Sequence, residues 1–199
     1  MRGENPCIAA TRTKRYAKNR TAKSERRPQP DGALVVPMKI RRGLECEAPI
    51  LTTVANQAKA HWPYTVTQLE AWRADLTVTG SYVARSFTYV AELNGVIAGF
   101  YSLCATDSVP GWPLEHLWVV PDCMGRGVGR ALLRHAADLA AGHGVENLTI
   151  DAEPYAEPFY IACGAQRIGI VAAPLEGEPL RQRPQMLLAT CSTGNSELT

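Results

Sequence analysis

Pro121-Asp122-Cys123-Met124-Gly125-Arg126-Gly127-Val128-Gly129-Arg130-Ala131-Leu132 lies between a hydrophobic run, Leu114–Val120, and an Ala/Leu-rich run from Gly127 to about Ala140. Leu114–Val120 reads as a strand stopped by Pro121, and the second run carries Leu132, Leu133, Ala136 and Leu139 or Ala140 on one helical stripe. The quoted stretch is therefore a glycine-dense turn from strand to helix. Glycine permits positive φ and close approach to the backbone, and the unpaired N–H groups of a helix start face outward at the positive end of its dipole. Such a turn holds an anion, and Arg126 and Arg130 beside it suit a pyrophosphate better than a single carboxylate.

Working outward, Leu148–Asp151 reads as the next strand, so strand, helix and strand make a crossover unit whose strands are parallel neighbours. Tyr155–Cys163 is a short helix ended by Gly164, and Gln166–Val171 and Met186–Ala189 are two final strands. Upstream, Met38–Arg42 alternates like a half-buried strand, and Glu47 to about Lys59 holds Ile50, Leu51, Val54 and Ala58 at helical spacing. Thr67 with Glu70 looks like a capping box opening a helix to Leu76, with Leu69, Trp72 and Leu76 on one face. Tyr82–Glu92 and Val96–Leu103 read as a hairpin around Asn94-Gly95. The order β-α-α-β-β-β-α-β-α-β-β gives a mixed sheet of the α/β or α+β class.

The chain has 199 residues, 46% hydrophobic and 20% charged, the size and composition of one folded domain. It lacks an apolar run of the roughly 18–20 residues needed to span a bilayer and a signal-like apolar stretch near its start, so a soluble, cytoplasmic protein is expected. Its six cysteines are scattered, with neither Cys-x-x-Cys nor His at ligand spacing, which suggests reduced thiols and no metal. The net charge of +2 hides an asymmetry: residues 1–36 carry nine Lys/Arg against three acidic residues, leaving 12 basic and 16 acidic residues in 37–199. Residues 1–37 are expected to be a disordered basic tail, 38–192 the folded domain and 193–199 a flexible end.

Three phosphate-binding loops can be compared with Met124–Arg130. A Walker A loop requires Lys-Ser/Thr after its last glycine, where Arg130-Ala131 stands. A dinucleotide fingerprint beginning at Gly125 requires Gly or Ala at 130, which is Arg. The pattern x-x-x-G-x-G in Met124–Gly129, preceded by a strand and Pro121, resembles the acetyl-CoA loop of the GNAT superfamily of acyl-CoA-dependent N-acetyltransferases. Ala156-Glu-Pro-Phe159-Tyr160-Ile-Ala-Cys-Gly164-Ala165 is similar to the second signature of that superfamily, and the likeness extends over most of residues 38–190. Two positions depart from it: Met124 stands where the family usually has Gln or Arg, and Glu153 where Asn is common.

The resemblance implies a mostly antiparallel mixed sheet whose central parallel pair splays apart, flanked by helices, with acetyl-CoA as co-substrate and no metal. It places pantetheine contacts on the backbone of Leu117, Trp118 and Val119, and the pyrophosphate on Gly125, Arg126, Gly127, Val128, Gly129 and Arg130. Glu115 falls where related enzymes keep a base for the acceptor ammonium, and partial desolvation would raise its pKa toward neutrality; Tyr160 falls where a phenol protonates the departing thiolate. Asp151 is a secondary acid/base candidate, His116 is set on the opposite face from Glu115 by strand alternation, and Cys163 reads as packing. His61, Trp62, Trp112 and Tyr82 are aromatic candidates for the acceptor side. The expected activity is transfer of acetyl from acetyl-CoA to a primary amine, small molecule or peptide, by direct attack in a ternary complex. The rival readings are a non-catalytic acyl-CoA-binding or regulatory domain and a nucleic-acid-binding protein acting through its tail. Neither a membrane nor a nucleic acid is the expected partner, and a homodimer stays open.

Overall fold

The computed structural model describes residues 37–107 and 110–190. The expected basic tail (but for its last residue) and the segment 193–199 lie outside the described residues. Twelve regular elements follow in the order β1 (Met38–Arg42), α1 (Ala48–Ala60), α2 (Val66–Ala71), α3 (Gly80–Arg85), β2 (Phe87–Leu93), β3 (Val96–Leu103), β4 (Trp112–Val119), α4 (Val128–Gly142), β5 (Asn147–Asp151), α5 (Glu157–Ala162), β6 (Gln166–Ala172) and β7 (Gln182–Ala189). The strands form one seven-stranded sheet in the order β1-β2-β3-β4-β5-β7-β6. All neighbours are antiparallel except β4 and β5, the crossover pair on either side of α4.

The interior strand β3, Val-Ile-Ala-Gly-Phe-Tyr-Ser-Leu, is buried along its last six residues because both its faces are covered. Tyr101 and Leu103 join the core that α4 closes with Val128, Leu132, Leu133, Ala136 and Ala140; Phe100 joins a second core with Leu51, Val54 and Ala55 of α1 and Val83 of α3. A near-continuous apolar strand is what a doubly covered position demands, whereas β5 buries only alternate residues, Leu148 and Ile150. The hairpin turn between β2 and β3 has Asn94 at φ 54° and Gly95 at φ 76°, the two positive values that an Asn-Gly turn supplies.

Three local expectations are corrected. The residues after Thr79 form a helix rather than the start of β2: Thr79 accepts a hydrogen bond from the Tyr82 amide (3.1 Å), and the strand begins at Phe87. Short apolar runs are ambiguous between helix and strand, and this cap decides it. The capping box of α2 uses Thr65 and Gln68, two residues before Thr67 and Glu70, and the helix ends at Ala71. Gln68 is buried and its amide donates to the Glu176 carbonyl (2.9 Å), an anchor that the exposed Glu70, paired with Arg73, lacks. Finally, Ile50 is exposed, because the buried stripe of α1 runs through Ala48, Leu51, Val54, Ala55 and Ala58 and leaves it at the edge.

Candidate active site

Parallel pairing of β4 with β5 is confined to Trp112 opposite Leu148 and Pro113 opposite Thr149. Beyond Pro113 the strands diverge, so the side of β4 that faces β5 keeps backbone N–H and C=O groups without a strand partner from Leu114 to Val119. Buried backbone polar groups are almost always satisfied, and a row of them along a gap invites an extended ligand rich in amides. A cavity of about 460 Å³ fills this gap, walled by Leu117, Trp118 and Val119 on β4, Ile150 and Asp151 on β5, and Phe159 and Tyr160 on α5.

At one end the cavity meets the glycine turn, where Gly125, Gly127, Gly129 and Arg130 line it. Gly125 and Gly127 have φ of +72° and +85°, and a Cβ built on either would meet nothing within 4 Å. Gly127 is the N-cap of α4 and no side chain caps the helix, so its first N–H groups are left for a ligand. This bare, open cradle with a helix dipole behind it fits a pyrophosphate. Val128 turns its side chain into the core at 1% exposure and offers only its backbone. Arg130 donates to the Ala162 carbonyl at 3.3 Å. Arg126 is exposed and does not line the cavity.

Glu115 also lines the cavity, and how it gets there is a matter of register. Ser102 of β3 faces His116 and Leu103 faces Leu114, so Glu115 is an extra residue bulged out of the ladder. A bulge re-aims its side chain, which strict alternation does not foresee. Glu115 is exposed rather than partly desolvated, and its Oε2 accepts a hydrogen bond from the Tyr82 hydroxyl at 2.6 Å. Among the described residues no Lys or Arg pairs with it, whereas Asp151 pairs with Arg183 (2.7 Å) and Glu153 with Lys59. His116 touches the same tyrosine, ring to ring at 5.3 Å, so the bulge turns Glu115 and His116 to the same side of the sheet, where strict alternation sets them on opposite faces. Burial pushes the His116 imidazole below its ordinary pKa, and Trp118 Nε1 donates to its Nδ1 (3.0 Å), leaving the ring proton on Nε2.

Tyr160 is 7% exposed, with its phenol pushed above the ordinary tyrosine value by burial; at neutral pH it carries its proton. Cys163 does not line the cavity, and burial raises its thiol. Cys46, Cys104, Cys123 and Cys163 are free thiols. Among the described residues no group of three or more His, Cys, Asp and Glu side chains is arranged to hold a metal ion.

The wall opposite the glycine turn is built from side chains. Trp62 and Tyr155 stack with centroids 5.4 Å apart and line the cavity together with Glu153, which binds Lys59 Nζ and the Tyr64 hydroxyl. Arg181 closes the group at 3.4 Å from both carboxylate oxygens of Glu153, and Lys59 Nζ sits 3.8 Å from the Trp72 ring centroid. Burial pushes the Lys59 ammonium down, against the pull of Glu153. Tyr155, Tyr64 and Arg181 are not among the candidate site residues of the sequence because nothing local joins Tyr64, Glu153 and Arg181. Of the four aromatic candidates, Trp62 lines the cavity and Tyr82 reaches it through Glu115, while His61 packs edge-on to Trp62 and Trp112 is core, stacked on Phe87.

The family model of the acetyltransferase (GNAT) domain matches residues 50–170. The chain belongs to the GNAT family. This GNAT chain is accordingly an acetyl-CoA-dependent N-acetyltransferase. A solved GCN5-related N-acetyltransferase from Rhodopseudomonas palustris (aminotransferase, class-II) is 26% identical, with a TM-score of 0.65 over 79% of this chain and 99% of that one. The ribosomal-protein-S18-alanine N-acetyltransferase of Escherichia coli (20% identity, TM-score 0.59, 82% and 100% covered) is alike in fold. So is the PaiA N-acetyltransferase of Thermoplasma acidophilum in complex with coenzyme A (15%, 0.60, 77% and 99%). A search of curated proteins gave no match. The splayed, mostly antiparallel sheet is the fold that the GNAT resemblance implies. Among the described residues no helix is long and apolar enough to cross a membrane.

Proposed function

We propose that this GNAT enzyme moves the acetyl group of acetyl-CoA to a primary amine by direct attack in a ternary complex, Glu115 receiving the amine's proton and Tyr160 supplying one to the sulfur. One observation carries the reading: Glu115 and Tyr160 line the same cavity, which also meets the glycine turn. Acetyl-CoA brings a thioester carbonyl. Leu117, Trp118 and Val119 offer backbone to the pantetheine amides; the N–H groups from Gly125 to Arg130, with the Arg126 and Arg130 charges, hold the pyrophosphate.

The acceptor arrives as an ammonium and is drawn to Glu115, the cavity carboxylate without a cationic partner among the described residues. Glu115 takes one proton, the free amine forms the new C–N bond, and the C–S bond breaks with its electron pair left on sulfur. Tyr160 donates its proton to that thiolate and is reprotonated by the one the new amide nitrogen sheds; the proton on Glu115 leaves to solvent. The acceptor is a small-molecule or peptide amine.

CoA thiol release followed over a panel of amines tests the activity. A protein that binds acetyl-CoA yet frees no CoA thiol with any amine of the panel would instead be a non-catalytic acyl-CoA-binding domain. Within an active pair, Glu115→Gln should slow turnover by roughly 10²–10⁴ at low pH. The defect should shrink as the pH nears the amine's own pKa, where the base is no longer needed. An equal loss from pH 6 to 10 would leave Glu115 as an electrostatic anchor only.

A further inference from the structure

Away from the glycine turn, the charges along the cavity narrow the class of amine it can take. Three carboxylates line it, Glu115, Asp151 and Glu153. Two of them are already matched. Asp151 pairs with Arg183 at 2.7 Å and accepts from the Gln185 amide at 2.8 Å, while Glu153 is held by Lys59, Arg181 and the Tyr64 hydroxyl. Glu115 takes its hydrogen bond from a neutral donor, the Tyr82 phenol at 2.6 Å. One ammonium therefore finds one unmatched carboxylate, and a second ammonium finds none.

The cations of this end stand behind the carboxylates. Lys59 and Arg181 are buried, and none of Lys59, Arg181 and Arg183 lines the cavity. Arg181 Nε and Arg183 Nε have no acceptor among the described residues, but both atoms are shut off inside the protein. Arg130, the cation that does line the cavity, belongs to the glycine turn. An acid group on the acceptor would meet carboxylate oxygens with no N–H to receive it, and a desolvated charge without a partner is costly. Between these charges the wall is aromatic. The stacked rings of Trp62 and Tyr155, 16° from parallel, lie where α1 ends, and α1 packs on β4, the strand that carries Glu115. Such rings hold flat apolar groups and attract cations by their π faces.

We propose that the acceptor is an arylalkylamine, an aromatic monoamine without a carboxylate, its ammonium on Glu115 and its ring against the Trp62–Tyr155 pair. The proposal rests on the acetyl-transfer reading and deepens it by naming the acceptor class. An amino acid carries its α-carboxylate to Glu115 along with its ammonium, and a polyamine brings a second charge that Asp151 and Glu153, already matched, do not need.

The test is calorimetric titration of amines into the whole chain saturated with CoA, beside CoA thiol release from acetyl-CoA with the same amines. Tryptamine should bind at least about tenfold tighter than tryptophan, butylamine or 1,4-diaminobutane, and kcat/KM should rank them alike. Tryptophan amide, which keeps the bulk and loses the acid, should recover most of the difference. Trp62→Ala should bring the tryptamine-to-butylamine ratio from about ten toward one, while Trp62→Phe keeps most of it; the ratio does not depend on how much of a variant folds. Tryptophan or diaminobutane binding as tightly as tryptamine, or a ratio unchanged in Trp62→Ala, would overturn the proposal. Binding in the expected order with no CoA released from any amine would uphold the site and refute acetyl transfer. Release of CoA with butylamine and tryptamine alike, without the binding preference, would uphold acetyl transfer and refute the acceptor class.

Discussion

At one end of the cavity, seven consecutive residues, Met124–Arg130, supply a cradle of main chain whose form depends on two glycines at positive φ. At the other end, Lys59, Tyr64, Glu153 and Arg181, drawn from α1, the segment before α2, the turn after β5 and the segment before β7, hold one another in a buried group of two cations and one carboxylate. The first end recognises by backbone, and most side chains outside the glycines could change without altering it. The second end is held together by side-chain chemistry, with Glu153 the one member of the four among the cavity's lining residues, and each member depends on the others' charge.

The sharpest way to break this contrast is at Gly127. A side chain there is strained at φ +85°, and Gly127→Glu sets a carboxylate where an anion is to be held. Because a Cβ at this position meets nothing within 4 Å, the fold should survive with a loss of about 1–2 kcal/mol. Acetyl-CoA affinity should fall by more than 100-fold, about 3 kcal/mol. Calorimetric titration of a variant shown by circular dichroism to be folded decides it; undiminished affinity would place the cofactor elsewhere.

Tyr160→Phe comes next. It keeps the ring in its buried seat and deletes one hydroxyl, so kcat should drop near the low end of the roughly 10²–10⁴ expected for general acid catalysis, with acetyl-CoA affinity nearly unchanged. Since burial holds the phenol pKa above its ordinary value, the unmodified enzyme should show no alkaline loss from this group up to about pH 10, the free tyrosine value. A fully active phenylalanine variant would assign thiolate protonation to water.

The opposite end answers in stability. Glu153→Ala leaves the Lys59 and Arg181 side chains, 8% and 6% exposed, without their counter-charge, a loss of about 3–5 kcal/mol. That is roughly 6–20 °C in Tm for a chain of this size. Adding Lys59→Met should restore part of it by removing one stranded cation. Equal Tm for Glu153→Ala and the unmodified protein would show that the group is wetter and looser than its burial implies.

How far each end was legible in the sequence follows from the same contrast. The glycine turn, the strand before it and the helix after it are consecutive, and their spacing carries the parallel pair and hence the sheet. Glu115 could be placed on β4 but not aimed, because a bulge is a mismatch between two strands and neither shows it alone. Tyr82 was misread as strand because the cap that makes α3, Thr79 to the Tyr82 amide, competes with a β-like run of residues. Glu153 stood out only as a departure from Asn. Its reason, a buried lysine 94 residues upstream and Arg181 28 residues downstream, is a product of packing.

The smallest effects separate the two arginines of the turn, which the sequence cannot rank. Arg130 is exposed like Arg126, but it lines the cavity beside the glycine turn and is steadied by the Ala162 carbonyl, so it stands within reach of a bound pyrophosphate. Arg126 is exposed and outside the lining, where water and salt screen it. A direct charge-assisted hydrogen bond is worth about 1.5–3 kcal/mol, with exposure drawing Arg130 to the low end, while an exposed charge without such a bond gives about 0–1 kcal/mol. Arg130→Ala should therefore weaken acetyl-CoA binding by about tenfold, and Arg126→Ala by no more than about threefold, with the Arg126 effect vanishing first as salt is raised. If both losses were tenfold and equally salt-sensitive, the side chains rather than the main chain would dominate pyrophosphate binding, and the contrast between the two ends of the cavity would narrow to one of position alone.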